Sequence, residues 1–191
     1  MREYSVMAHA YTARAINRAL KCGVDSIEHG NLLDETSVAL FKEHDAFLVP
    51  TLITYRALAE EGVAAGLPAN MASKIATVAE AGVRALKLAH AGGVKIVYGT
   101  DLLGSMQRRQ LEEFAIRAAV QSPAELIRSA TVTAAALFRL SNEIGTVDPG
   151  KRADLLIVEG DPLSDISVLQ HPDRNLPAIP KGGQPIKNNL H

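Results

Sequence analysis

The sequence predicts an α/β fold: half of an eight-stranded barrel of parallel strands, followed by a β-rich tail. Three observations carry that expectation. Short β-prone runs alternate with helical segments four times before residue 142, and such alternation gives parallel strands joined by right-handed crossovers. The run Val94-Lys95-Ile96-Val97-Tyr98 is apolar except for one lysine, as in a strand covered on both faces. From Asn142 onward the character shifts to turn chemistry rich in Pro, Gly and Asn.

Each element has a local reason. Tyr4 to Ala8 reads as a strand ending at His9. Thr12 can cap a helix running to about Cys22, with Ile16, Ala19 and Leu20 on one face and Gly23 to end it. Val24 to Glu28 is a second strand, ending in His29-Gly30. Asp34 caps a helix running to about His44. Ala46-Phe47-Leu48-Val49 is a third strand, stopped by Pro50. Thr51 to Ala59 reads as partly helical, within an excursion above the strand ends. A helix then starts at Pro68, a natural first helical residue, and extends to about His90 before Gly92-Gly93. After the fourth strand, Val94 to Tyr98, a helix is expected over 107–120. Ser122-Pro123-Ala124-Glu125 starts another as a capping box, and a short one follows over 134–140. In the tail, Ala153 to Val158 reads as a strand, with Leu176 to Ile179 and Gln184 to Ile186 as short ones. The tail is too small to hold a core of its own, so it must dock on the preceding part or pair with other strands. The expected division is 1–141 for the half-barrel and 142–191 for the β segment.

Composition narrows the function classes. The 191 residues are 47% hydrophobic and 21% charged, with a net charge of −1. That permits a sizeable core and gives no electrostatic case for nucleic acid or an anionic membrane as the main partner. No apolar run approaches the roughly 18 residues that span a bilayer. The start, Met1-Arg2-Glu3-Tyr4-Ser5-Val6, lacks the apolar stretch of a secretory signal. Cys22 is the single cysteine, which excludes an internal disulfide and a Cys-x-x-Cys zinc knuckle. The expected location is cytoplasmic, with a secreted or periplasmic one left open.

The chemistry gathers at three strand ends. His9, His29 and Asp101 each follow a predicted strand, and parallel strands place their C-terminal ends on one side. Two imidazoles and a carboxylate suit a borderline divalent ion such as zinc. Taken singly, each histidine reads as a packed residue and Asp101 as a turn or helix cap; the three together favour a metal site.

These residues also carry a resemblance. Met7-Ala8-His9-Ala10-Tyr11, Ser26-Ile27-Glu28-His29-Gly30 and Tyr98-Gly99-Thr100-Asp101 resemble the fifth, sixth and eighth strand ends of the metal-dependent amidohydrolase superfamily. Val49-Pro50-Thr51-Leu52 resembles its seventh strand, Ser129 to Ala135 the helix after the barrel, and Ile144 to Leu155 the crossing into its small β-domain. The branch it most resembles is the Xaa-Pro dipeptidase (prolidase-like) and imidazolonepropionase-related one. The resemblance implies the C-terminal half of a (β/α)8 TIM barrel, strands five to eight, followed by strands of a small β-sandwich. It implies His9, His29 and Asp101 as ligands of one or two divalent ions, zinc or manganese. Asp101 would also orient the hydrolytic water and pass its proton to the leaving amine. Tyr11 matches a tyrosine that contacts the substrate's carboxylate.

The expected activity is hydrolysis of C–N bonds in a small-molecule substrate, a dipeptide (Xaa-Pro or Xaa-hydrophobic) or an N-acyl amino acid. The family's first-strand His-x-His and its fourth-strand lysine have no counterpart here. A complementing N-terminal half or an oligomer is therefore the expected partner, and a non-catalytic half-barrel is the alternative. A phosphate- or sugar-binding half-barrel without metal is disfavoured by the paired histidines.

Other residues are assigned structural roles. Glu28 should point away from His29, because neighbours along a strand face opposite sides. His44 and His90 sit near helix C-termini, where they meet the dipole. Arg108 and Arg109 open a solvated helix, with a substrate carboxylate as a lesser possibility. Cys22, at a helix end, reads as an ordinary buried thiol.

Overall fold

A computed structural model describes residues 4–190, with the backbone alone at 69, 72 and 73. Met1 to Glu3 of the N-terminal stretch, and His191, lie outside the described residues. Strands β1 (Met7–Thr12), β2 (Ser26–Leu32), β3 (Phe47–Val49) and β4 (Lys95–Ile96) form a parallel sheet in the order β1-β2-β3-β4. Spatial order equals chain order because each crossover returns the chain beside the strand it left. The crossovers are α1 (Ala13–Lys21), α2 (Glu35–Glu43), and α3 (Leu52–Glu61) with α4 (Ala69–Ala91).

Local capping follows the sequence. The Thr12 hydroxyl accepts from the Ala15 amide at 3.3 Å to start α1. Asp34 and Ser37 form a reciprocal capping box at α2. Beneath the helices, Ile16, Leu20, Ile27, Phe41, Leu48, Leu86 and Ile96 pack into one core. Each such side chain contributes about 1.5–3 kcal/mol by leaving water. On the other face, Phe47, Val49 and Val97 pack against Ala134 and Leu137 of α7 (Val132–Leu137).

Several elements differ from the sequence expectation. β1 continues through His9 to Thr12 rather than ending before it. β4 is shorter: the Val97 amide still bonds Leu48 O at 2.9 Å, but the Tyr98 amide turns to Ser129 O at 3.0 Å. That bond draws the strand's end out of the sheet toward α6 (Pro123–Ala130). The single helix expected over 107–120 is instead a 3-10 turn, Gly104–Arg109, and a short α5, Glu112–Arg117. Arg109 bonds Glu60 and Glu61 of α3 as well as Glu112, so the break is pinned to a neighbouring helix. Ala153 to Val158 is not a strand but holds one antiparallel bridge, Ile157 to Ala178. Leu155 N donates to Pro180 O, yet Pro180 has no N–H to complete the reciprocal pair.

The tail ends in an antiparallel hairpin, β5 (Ala178–Lys181) and β6 (Gln184–Asn188). It docks on the α/β part as expected: Ile166, Leu169 and Leu176 pack against Phe114 of α5 and Leu126 of α6. Among the described residues, no helix is long and apolar enough to cross a membrane.

Candidate metal centre

Register sets the site. In β1 and β2, His9 stands opposite Glu28 and Ala10 opposite His29. Strict alternation would send His29 to the helix-covered face with Ala10, which is buried in the core. His29 escapes because its φ is 76° and that of Gly30 is 64°, a left-handed turn that re-aims the side chain. Glu28 therefore shares the site face, contrary to the sequence expectation. It is buried, accepts a 2.6 Å bond from the Ser26 hydroxyl, and feels the charges of His9 and Asp101. Burial holds its carboxyl above the usual range despite the Ser26 bond and His9.

The three expected ligands converge. His9, His29 and Asp101 each present a ligand atom, all within 4.8 Å of one another. His9 Nδ1 lies 2.7 Å from His29 Nε2, and Asp101 Oδ2 lies 3.9 Å from that same nitrogen. His29 is 3% exposed, and burial lowers its pKa more than Asp101 raises it. A neutral imidazole is the form that binds a metal. On its far side, His29 Nδ1 is 2.8 Å from the Thr51 hydroxyl. With Nδ1–H donating to Thr51, the Nε2 lone pair faces the cluster. Donor set, protonation and orientation all fit a divalent ion.

Backbone strain marks the same place. Thr51 and Asp101, like His29, have positive φ, at 48° and 50°. For a β-branched threonine that costs on the order of 1–3 kcal/mol. Asp101 is further held through its carbonyl, which accepts from Thr54 Oγ1 at 3.0 Å.

An aromatic wall flanks the three side chains. Tyr11 stacks on His29, with centroids 4.7 Å apart and planes 9° apart. Tyr55 meets both rings edge-on. Its hydroxyl is buried, and burial first, then the Tyr11 hydroxyl, push its pKa up against the opposing effect of the Thr51 hydroxyl. Tyr55 thus stays a donor at all ordinary pH values. Tyr11, Tyr55, Leu58, Asp101, Leu103 and Met106 line a cavity of about 120 Å³.

The remaining candidates settle as follows. Arg108 and Arg109 are engaged by Glu61, and Arg109 also by Glu60 and Glu112. His90 bonds Glu125 at 2.8 Å, and with the Ser122 capping bonds it pulls Glu125 down to about 2. His44 caps the end of α2, and Cys22, ending α1, is exposed rather than buried as expected. Sequence reading noticed Val49-Pro50-Thr51-Leu52 as a strand end. It missed Thr51 as the partner of His29, and Tyr55 entirely, because both act through contacts formed only after folding.

Comparison with known proteins points to one family. The Amidohydrolase family model matches residues 1–182. An amidohydrolase crystal structure superposes with a TM-score of 0.95 at 46% identity, covering 100% of this chain and 46% of that one. A prolidase complexed with N-methylphosphonate-L-proline gives a TM-score of 0.92 at 44% identity, covering 96% of this chain and 45% of that one. The ochratoxinase of Aspergillus niger is 30% identical over 184 residues, 95% of this chain and 38% of that protein. The chain thus spans less than half the length of each of these relatives. By sequence and by structure, it belongs to the amidohydrolase family, and its structural neighbours include a prolidase and a Xaa-Pro dipeptidase.

Proposed function

We propose that this chain carries the C-terminal half of a metal-dependent hydrolase of C–N bonds, acting on dipeptides, Xaa-Pro or Xaa-hydrophobic, or on N-acyl amino acids. The observation that carries the reading is the convergence of His9 Nδ1, His29 Nε2 and Asp101 within 4.8 Å on one side of a parallel sheet. These three would hold one zinc or manganese ion, or share in a pair. Such an ion polarises a carbonyl and lowers the pKa of water. Asp101, its side chain 45% exposed, orients the attacking water, accepts its proton and returns it to the departing amine. The Tyr55 hydroxyl, buried beside those of Tyr11 and Thr51, donates to a substrate oxygen, and Tyr11 contacts the substrate's carboxylate. Leu58, Leu103 and Met106 give the cavity an apolar side suited to a proline ring or an apolar acyl group.

The same reading makes 1–141 a half-barrel and 142–191 part of a small composite β-domain. Among the described residues, β1 and β4 each pair on one edge only, and Val6 and Met7 at the β1 edge are exposed. Open edges of this kind call for a complementing half or a second copy. They equally favour a second reading, in which the chain alone binds metal without turnover.

Dialysed protein should retain zinc or manganese, and hydrolysis of Xaa-Pro dipeptides should fall at least about 10³-fold in Asp101→Asn. Metal content of zero removes the metal reading. Unchanged hydrolysis in Asp101→Asn removes the catalytic role. Metal retention without any hydrolysis by the chain alone selects the second reading.

A further inference from the structure

Helix α3 begins in an unusual way. Thr51 occupies its N-cap position but makes no side-chain bond to the helix, although threonine is among the residues that ordinarily cap there. Its hydroxyl is 2.8 Å from His29 Nδ1 instead. The first turn's amides still need an acceptor. Glu113 of α5, distant in sequence, provides it: Oε2 accepts from the Ile53 amide at 2.7 Å, with the Leu52 amide also in reach.

Glu113 is fully buried, and its Oε1 has no hydrogen-bond partner. Placing a carboxyl there is costly, and the bond it makes is to the amide that starts α3. Arg117, one turn later on α5, is also fully buried. It donates to Val97 O at 3.3 Å and to Gln121 Oε1 at 2.9 Å, and its guanidinium lies 5.7 Å from the Tyr98 ring centroid. One helix therefore grips both the segment bearing Thr51 and the end of the strand leading to Asp101.

We propose that Glu113 is a positioning residue for the metal centre: by capping α3 in place of Thr51, it leaves the Thr51 hydroxyl to fix the ring tautomer of His29. Remove the cap, and Thr51 is drawn to the amides of its own helix. His29 then loses the acceptor that keeps its proton on Nδ1. The inference rests on the reading of His29 as a ligand, but the link from Glu113 to the His29 ring can be tested without metal.

The test uses the 191-residue chain labelled with ¹⁵N-histidine. Two-bond ¹H–¹⁵N spectra of metal-free protein should show His29 as the Nδ1–H tautomer in the wild type and in Glu113→Gln, which keeps an acceptor. In Glu113→Leu the ring should become a mixture of tautomers, and zinc affinity should fall about tenfold or more. If Glu113→Leu does not fold, Glu113→Asp applies the same test, since it keeps the charge and shortens the reach. A folded Glu113→Leu or Glu113→Asp in which His29 stays wholly Nδ1–H overturns the proposal. A wild type that binds no zinc removes the metal reading, while the tautomer spectra still decide whether Glu113 positions His29.

Discussion

The contact between Thr51 and His29 offers the sharpest perturbation, Thr51→Val. Valine has nearly the shape of threonine and is likewise β-branched, so the left-handed strain at this position is common to both and cancels. What is lost is the hydroxyl 2.8 Å from His29 Nδ1, the acceptor when Nδ1 carries the proton. At 3% exposure, His29 has no water to replace it, and an unsatisfied buried donor costs about 1–3 kcal/mol of stability. A metal-ligating histidine that loses its supporting acceptor also binds about 10–100-fold more weakly, roughly 1.4–2.8 kcal/mol. Thr51→Ser keeps the hydroxyl and should stay within about threefold of wild-type affinity. Competition against a chromophoric zinc chelator measures the affinities, and thermal melts measure the stability. A folded Thr51→Val that matches the wild type in both would refute the claim that this hydroxyl sets the ligand.

Two further outcomes follow from contacts away from the ligands. A Cβ added at Gly99 would lie 2.4 Å from Val49 Cγ1, so Gly99→Ala should lose about 1–3 kcal/mol by overpacking. Val49→Ala in the same chain should recover part of it, and equal melting temperatures for Gly99→Ala and wild type would contradict this. Burial pushes Glu113 up to about 7, from 4.5 for a free glutamate. Across that interval the folded state keeps a proton that the unfolded state releases, so stability is greatest below about pH 4.5 and falls as pH rises towards about 7. The loss is of the order of 3 kcal/mol. Urea titrations at about pH 5 and about pH 8 should show a shallower fall in Glu113→Gln, and the mechanism fails if the two slopes are identical.

Much of this architecture was legible because it depends on neighbours in sequence. The helix starts at Thr12, Asp34 and Ser122 are side chains capping amides three residues away. The strands through Ile27, Leu48 and Ile96 are apolar runs whose burial needs no knowledge of the partner. His9, His29 and Asp101 were legible for a related reason: residues after parallel strands gather on one side wherever they stand in sequence. Contacts between remote elements were not legible. No local pattern connects Glu113 with Ile53, 60 residues apart, or turns the Tyr98 amide to Ser129 O. The break between Arg109 and Glu112 also depends on Glu60 and Glu61 of another helix. The missing strand over 153–158 could have been anticipated in part, since a proline in the partner strand cannot return a hydrogen bond.

The misreading of Glu28 explains how the site is made. Alternation along a strand puts Glu28 and His29 on opposite faces, and the register of His9 against Glu28 obeys that rule. His29 breaks it through a positive φ, so two consecutive side chains serve one face. Thr51 and Asp101 repeat the device at the next two strand ends. Among the described residues, only Asp45 and Arg139 share that conformation without being glycine. Regular strands bring the termini together, and His9 stays within its strand, but His29, Thr51 and Asp101 each leave strand geometry at their own position. The strain is therefore confined to single residues and offset by the contacts around them: Thr51 to His29, Thr54 to Asp101, and Glu113 to the start of α3. A substitution that weakens one of these supports should let its residue relax toward ordinary strand geometry. It would then disperse the His9, His29 and Asp101 cluster before it unfolds the sheet.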